Sequence, residues 1–369
     1  MKIIADTHIP YVKEYFDQQG ELILKPGRII SHHDVKKADM LLVRSITPVN
    51  QALLASSKVK FIGSVTAGAD HLDTKWLNEK EILWRVATGF NAPPVADYVV
   101  CVIAALQRKG LLLNQHKKAA VIGVGHVGRL VVERLQSLDF DVICVDPIRA
   151  EIEKDFISTS LEKITDVDLV SLHVPLTRQG KYSTDQLINK NFLKNQKIDC
   201  ILLNTSRGAV IHTDDLKTYG RHCHWCFDVW PNEPHIDKTI LADALIATPH
   251  MAGYAVQSKI RGIAMIYQAA VEMSMIQPRS NPTVMMPQQR LSFKGRQQWQ
   301  DIALKVFNPM AMTTIMQEVL LKPGDTAAAF DTLRNEFNNR HEFTATPISC
   351  TQWQENDKIL LNRIGFKLI

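Results

Sequence analysis

The chain has 369 residues, 46% of them hydrophobic and 22% charged, which is a globular composition and too long for one ordinary core, so two or three domains are predicted. A net charge of +5 without any run of five basic residues argues against nucleic acid and suits a small anionic substrate. The longest apolar stretch, Tyr98 to Leu106, is too short to cross a membrane. The opening MKIIADTHIP does not read as a signal peptide, and six scattered cysteines without a framework point to a reducing, cytoplasmic setting.

Lys2 to Ala5 is an apolar run ending at Asp6 and predicts a first strand. Residues 11–19 predict a short helix, Leu22 to Leu24 a strand, and His32-His33 a solvated loop. Met40 to Val43 runs as a strand into Arg44-Ser45-Ile46-Thr47-Pro48-Val49, and Phe61 to Val65 into Thr66-Ala67-Gly68-Ala69-Asp70-His71. Strands alternating with helices predict a parallel sheet whose ligands gather at the strand C-terminal ends, where both loops would lie. Plain loop polarity is the simpler account of Arg44 and Thr66. Asn91-Ala92-Pro93-Pro94 reads as a breaker before a long apolar helix from Val95 to about Gln107, and marks a domain crossing.

The stretch AAVIGVGHVGRLVVERL combines an apolar run, Ala119 to Ile122, a glycine turn and a helical pattern. Gly123 permits the turn, Gly125 close approach of backbone to a pyrophosphate, and Gly128 close packing of helix on strand. His126 and Val127 open the helix, whose free N–H groups suit an anion. Asp141 to Val145 ends in Asp146, 18 residues after Gly128, placed to accept ribose hydroxyls and to repel a 2′-phosphate; this predicts NAD, with Arg149 nearby as the one complication. Later strands end in polar groups: Val167 to Leu172 at His173-Val174, Ile198 to Leu203 at Asn204-Thr205-Ser206-Arg207, Trp225 to Val229 in Asp228-Val229-Trp230-Pro231-Asn232-Glu233, and Leu245 to Ala247 at Thr248-Pro249-His250-Met251-Ala252-Gly253-Tyr254. A helix then runs to about Ile276. Gln277 to Gln289 reads as a linker, and the last 80 residues carry a Phe/Leu/Met-bearing segment, a helix near Thr326–Phe337 and a strand-like LLNRIGFKLI.

Through GVGHVG, NTSRGAV, DVWPNEP and TPHMAGY in that order, the chain resembles the D-2-hydroxyacid dehydrogenases. VRSITPVN, GSVTAGADHLD, the tyrosine of HMAGYAVQSKIRG and FDTLRNEFNNRHEF resemble the members that oxidise 4-phosphoerythronate in vitamin B6 biosynthesis. The resemblance implies an α/β fold of two doubly wound parallel-sheet (Rossmann/flavodoxin-like) domains around a cleft, with a small α+β C-terminal dimerisation domain. The expected boundaries are 1–94 and 255–280 for substrate binding, 95–254 for NAD and 281–369 for a homodimer contact.

Oxidising a 2-hydroxy acid needs a cation for the carboxylate, a base for the hydroxyl proton and a nicotinamide beside C2. Arg207 offers a planar fork for a carboxylate. His250 can take the proton, and Glu233 would bond its far nitrogen, fix its tautomer and strengthen it as a base. A histidine after a proline is commonly structural, but Arg207 and Glu233 at neighbouring strand ends favour the catalytic reading. The resemblance assigns these three to catalysis. It assigns Gly123, Gly125, His126, Val127, Gly128, Asp146, Val174, Thr205, Ser206, Arg207, Asp228 and Gly253 to cofactor binding, with Asp228 toward the carboxamide, and Ser45, Thr66 and Tyr254 to a small phosphorylated substrate. Arg44 is added as a phosphate or carboxylate contact.

Two positions depart from the pattern: Asp97 stands where a glutamate is expected, and Val174 replaces a hydroxyl residue. His222-Cys223-His224-Trp225-Cys226 has metal-like spacing, but in a strand successive side chains point to opposite faces, so no metal is expected. Alternatives are a phosphoglycerate or hydroxypyruvate dehydrogenase, whose long regulatory extension the C-terminal segment lacks, and a dinucleotide-sensing corepressor.

Overall fold

The computed structural model describes residues 1–278, 284–336 and 339–369. The chain divides into two units, Met1–Asn91 with Val256–Pro287 and Ala92–Ala255 with Gln288–Ile369. Parts of the linker expected over Gln277–Gln289, including the boundary at 280/281, and the Phe337 end of the helix expected from Thr326 lie outside the described residues.

In the first unit β1 (Lys2–Asp6), β2 (Glu21–Lys25), β3 (Met40–Val43), β4 (Phe61–Ser64) and β5 (Leu83–Val86) form a parallel sheet in the order β2-β1-β3-β4-β5. β1, β3 and β4 are almost wholly buried, so their sequences read as unbroken apolar runs rather than alternation. β5 is the edge strand; its LWRV alternates between exposed and half-buried positions and gives no such signal. The helix Val256–Glu272 packs in this unit through Ile263, Ile266 and Tyr267. Gly63 in β4 admits it: a Cβ there would lie 2.4 Å from Ile266 Cγ2. His32 and His33 open a short helix, His32–Val35, closed by a Ser31/Asp34 capping box, rather than a loop.

The second unit holds β6 (Lys117–Ile122), β7 (Phe140–Val145), β8 (Leu169–Leu172), β9 (Ile201–Asn204), β10 (His224–Phe227) and β11 (Ile246–Ala247), all parallel, in the order β11-β10-β9-β8-β6-β7. The order reverses at β6, whose neighbours are β7 and β8, and the crevice at such a switch point is where this architecture binds ligands. Asn91–Pro94 proves to be a helix start rather than a breaker, for the helix is Ala92–Arg108. Pro93 and Pro94 occupy its first turn, where no N–H is required. From Val95 to Leu106 only buried residues follow, each large apolar side chain contributing about 1.5–3 kcal/mol by leaving water.

That helix shares one core with the C-terminal segment. Phe343, Ile348, Leu361, Ile364 and Phe366 cluster with Val95, Val99, Ile103 and Leu135. The segment carries helices Trp299–Val306, Pro309–Leu320, Thr326–Glu336 and Glu355–Arg363, and a parallel sheet of β12 (Leu291–Phe293), β13 (Pro347–Cys350) and β14 (Lys367–Leu368). The strand-like reading of Leu360–Ile369 is corrected: its first four residues finish the last helix, and only Lys367–Leu368 pair as a strand.

Asp97 joins the two parts of this core. It is 3% exposed, its Oδ2 accepts the Phe343 N–H at 2.8 Å, and its Oδ1 lies 3.7 Å from the Arg134 guanidinium. Burial outweighs Arg134, the Phe343 N–H and Arg340, pushing its carboxyl up to about 7. An acid that holds its proton more tightly when folded contributes stability at low pH, lost as pH rises from its unfolded value near 3.8 through about 7. Relative to Asp97→Asn, the wild-type unfolding free energy should therefore fall by up to about 1.4 kcal/mol per pH unit between roughly pH 4 and 7. Parallel slopes in chemical denaturation across that range would contradict this.

Candidate active site

The glycine turn sits at the switch point. Gly123 has φ +87, and a Cβ there would meet the His173 carbonyl carbon and Val174 Cγ1 at 2.8 Å, so the turn is pressed against the end of β8. A Cβ on Gly128 would lie 2.0 Å from Gly123 O; glycine at both places is required by the chain's own packing. Gly125 differs, being exposed with an ordinary φ of −79 and nothing within 4 Å of its would-be Cβ. His126 is exposed and Val127 half-buried at the start of the helix His126–Ser137.

Asp146 ends β7 and caps the helix Pro147–Ile152. Its Oδ2 accepts the Val124 N–H at 2.8 Å and its Oδ1 the Arg149 N–H at 3.0 Å, which ties the carboxylate to the turn. Arg149 spends Nε on Glu153 at 2.8 Å and Nη1 on Val124 O at 3.2 Å. At the end of β8, His173 bonds Ser171 through Nε2 at 2.8 Å and Thr205 through Nδ1 at 3.1 Å; desolvation brings it down to about 3, so it stays neutral. Val174 and Thr205 are half-buried beside it, and Ser206 is buried with its hydroxyl donating to Asn204 Oδ1.

Arg207 follows β9, half-buried, with Nη1 donating to Ser206 O at 2.8 Å and Asn204 Nδ2 donating to its own carbonyl. A Cβ on Gly208 would lie 2.0 Å from the Trp230 carbonyl carbon. This contact seats the arginine turn against the loop that carries Glu233. Glu233 Oε1 accepts the Trp230 N–H at 2.7 Å and Oε2 lies 2.7 Å from His250 Nδ1. Burial pushes the Glu233 carboxyl up, but His250, the Trp230 N–H and Arg334 outweigh it and hold it below its ordinary value. His250 has φ +53, a left-handed backbone that costs a non-glycine residue about 1 kcal/mol or more. Its N–H donates to Asp228 O at 2.7 Å and Thr248 O at 3.0 Å, which maintains the conformation.

Asp228 is 1% exposed, and its carboxylate is directed into the protein: Oδ1 accepts the Thr248 hydroxyl at 2.6 Å and the Met251 N–H at 2.8 Å, and Oδ2 the Ala252 N–H at 2.9 Å. Burial raises its carboxyl despite these bonds. It thus organises the His250 loop, a role that the sequence pattern did not suggest. Gly253 and Tyr254 follow, both half-buried.

The sequence reasoning also missed two arginines. Arg340, 7% exposed, donates to Ala252 O, to Tyr254 O at 3.1 Å and to Pro94 O at 3.0 Å, pinning the backbone on either side of Gly253. The Arg334 guanidinium carbon lies 5.3 Å from the centre of the Tyr254 ring. Both stand in FDTLRNEFNNRHEF, so the signal was present but carried no role.

In the first unit, Arg44 follows β3 and its Nε lies 2.7 Å from Asp6 Oδ2. Ser45 is exposed. Thr66 follows β4, donating its hydroxyl to Gly68 O at 2.8 Å and so accepting from Ser64 Oγ at 2.8 Å; Ser64 also meets His71 Nε2 at 2.8 Å. Lys259, also missed, is brought down to about 8 by burial and by the Arg44 charge. Among the described residues no group of three His, Cys, Asp or Glu side chains could hold a metal ion.

Residues 104–252 match the family described as D-isomer specific 2-hydroxyacid dehydrogenase, NAD binding domain. The chain is 43% identical over 354 residues to the erythronate-4-phosphate dehydrogenase of Coxiella burnetii, covering 95% of this chain and 96% of that protein. It is 36% identical over 386 residues to the Pseudomonas aeruginosa PAO1 protein of the same name, covering 100% of each. Among solved structures, the NAD-bound 3-phosphoglycerate dehydrogenase of Entamoeba histolytica matches with a TM-score of 0.62 at 22% identity, covering 78% of this chain and 99% of that one, and shares the fold. The chain belongs to the D-isomer specific 2-hydroxyacid dehydrogenases, NAD-dependent oxidoreductases, and carries their NAD-binding domain.

Proposed function

We propose that this enzyme oxidises the C2 hydroxyl of 4-phosphoerythronate to a ketone, in the route to pyridoxal 5′-phosphate. The observation that carries the reading is the 2.7 Å contact of Glu233 with His250 Nδ1, on a loop against which the Arg207 turn is seated, in a chain whose full-length relatives bear that enzyme's name. The residues fit NAD: a Cβ built on Gly125 would have nothing within 4 Å, which leaves room for a pyrophosphate to approach the backbone. NAD, when bound, supplies the hydride acceptor. Glu233 accepts the Nδ1 proton of His250, which leaves Nε2 to take the hydroxyl proton. Arg207 holds the substrate carboxylate. Arg44, Ser45 and Thr66 stand as contacts to the substrate, with Lys259 adding a second cation beside Arg44 for the phosphate, and Tyr254 as a further contact.

The remaining cofactor contacts are Gly123, Gly128, His126, Val127, Asp146, Val174, Thr205, Ser206, Asp228 and Gly253; for Asp228 the buried carboxylate makes an indirect role, through the 251–252 backbone, the better supported one. Residues 281–369 are proposed to carry a homodimer contact, supported by exposed Val319, Leu321 and Ile359 and by two-fold dimers being the commonest oligomers. Sedimentation at micromolar concentration should give twice the monomer mass, and a monomer would refute it. A cytoplasmic location agrees with six free thiols; no described helix is long and apolar enough to cross a membrane. Recovery in a membrane or periplasmic fraction would contradict it.

With 4-phosphoerythronate and NAD, His250→Ala should lose roughly 10²–10⁴-fold in kcat, and Arg207→Ala a similar factor in kcat/KM, given about 1.5–3 kcal/mol for each charge-assisted bond lost. Full activity in either variant would overturn the assignment, and 3-phosphoglycerate or an unphosphorylated 2-hydroxy acid turning over faster would overturn the substrate. For the cofactor, Gly125→Ala should weaken NAD binding at least about tenfold, roughly 1.4 kcal/mol, while costing less stability than a substitution at Gly128, since no atom of the chain meets its methyl. Gly128→Ala should cost stability itself, by about 1–3 kcal/mol, because its methyl meets backbone. Equal effects of the two substitutions on folding would show that the glycines do the same work.

A further inference from the structure

In the apolar helix Ala92–Arg108, Tyr98 is wholly buried yet ends in a hydroxyl. Its ring lies 5.7 Å from that of Phe307, which helps to fix where the oxygen points. A buried hydroxyl needs a hydrogen-bond partner, and this one is found outside the helix. The Tyr98 oxygen meets Thr248 Oγ1 at 2.8 Å, and Thr248 Oγ1 meets Asp228 Oδ1 at 2.6 Å. Tyr98, Thr248 and Asp228 are each at most 1% exposed.

The number of protons fixes the direction of these bonds. The Asp228 carboxylate accepts in each of its contacts, taking the Met251 N–H at 2.8 Å and the Ala252 N–H at 2.9 Å besides the Thr248 hydroxyl. Thr248 has a single O–H, which goes to Asp228, so its oxygen accepts from Tyr98. Burial and the Asp228 charge push the Tyr98 hydroxyl well above its ordinary range, so this donor keeps its proton. Two hydroxyls in series therefore end on the carboxylate that takes the next two backbone N–H groups after His250. The carbonyl of that same aspartate accepts the His250 N–H at 2.7 Å.

We propose that Tyr98 is a positioning residue for the reaction: through Thr248 it strengthens the hold of Asp228 on the 251–252 backbone, and so keeps His250 where it can meet the substrate. In an interior that screens little, each hydroxyl polarises the next, and a donor to Thr248 makes the Thr248 O–H a stronger donor to Asp228. The charge that Asp228 carries is thereby better met, and an ionised carboxylate binds backbone N–H groups more strongly than a neutral acceptor does. Tyrosine suits the place because its ring packs as a phenylalanine ring would, while its oxygen reaches a partner 150 residues further along the chain.

The inference rests on His250 being the base, and its test separates the two claims. Tyr98→Phe keeps the ring and removes one oxygen. With 4-phosphoerythronate and NAD, its single-turnover rate of NADH formation should fall roughly 3–10-fold, with KM within about twofold of wild type. Thr248→Val should be slower still, and Thr248→Ser, which keeps the hydroxyl, should recover most of the rate. The double variant Tyr98→Phe/Thr248→Val should be no slower than Thr248→Val, because Tyr98 then has nothing to act through. Amide hydrogen exchange in the enzyme alone reads the same hold without turnover. At Met251 and Ala252 it should quicken at least about threefold in Tyr98→Phe, relative to the amides of β6. A wild-type rate in Tyr98→Phe, losses that multiply in the double variant, or unchanged exchange at 251 and 252 would each overturn the proposal. An inactive His250→Ala beside unchanged exchange would remove the Tyr98 inference alone. A fully active His250→Ala beside quickened exchange would remove the assignment of the base and leave Tyr98 as the residue that positions the loop.

Discussion

The arrangement of the loop that carries His250 depends on one buried carboxylate. Asp228 takes two backbone N–H groups and a hydroxyl from the segment after β11, while its own carbonyl accepts the His250 N–H. Burying a charge is costly unless its lone pairs are met. The chain meets them with the very peptides that flank His250, so the penalty becomes a constraint on where His250 can be. The left-handed backbone at His250 persists because Asp228 on one side and Glu233 on the other leave it no better conformation.

Around that centre the polar groups are arranged in tiers. Thr248 bridges Asp228 to Tyr98, whose hydroxyl is 2.8 Å away in the middle of the Ala92–Arg108 helix. Trp230 reaches Thr248 O with its indole N–H and gives its backbone N–H to Glu233. Arg340 binds three carbonyls, of which Ala252 O and Tyr254 O belong to the His250 loop. The C-terminal segment is thus part of the support of the His250 loop within one chain, and the long apolar helix is the beam against which both are fastened.

Much of this was legible in the sequence, and the limits of that legibility have physical causes. Strands buried on both faces announce themselves as apolar runs, and β1, β3, β6 and β9 were readable for that reason. β5 and β12 were not, since an edge strand alternates weakly and three residues carry no periodicity. Pro93 and Pro94 misled because proline disrupts a helix interior yet suits its first turn, and one sequence cannot say which turn it occupies. Arg207, Glu233 and His250 could be singled out because each closes a strand with a polar group of unusual chemistry. Arg334, Arg340 and Lys259 could not. Their meaning arises from neighbours eighty or more residues away in the chain, and basic residues of this kind are ordinary in a globular sequence. Asp228 was visible as a cofactor contact but not as the organiser of the His250 loop, because the direction of a carboxylate is a tertiary fact.

Both units are assembled from segments far apart in the chain. The first closes only when Val256–Pro287 joins Met1–Asn91, and the second only when Phe343, Leu361 and Phe366 reach the helix that began at Ala92. During synthesis, the part of that helix covered by Phe343, Leu361 and Phe366 therefore waits while more than two hundred further residues are made. Non-local cores of this kind form late and slowly. A ribosome that stalls before Trp299–Val306 is made releases a chain in which the part of the Ala92–Arg108 helix that this later helix covers is open to solvent, so an incomplete copy of this protein is marked for aggregation or proteolysis by the same surface that stabilises a complete one.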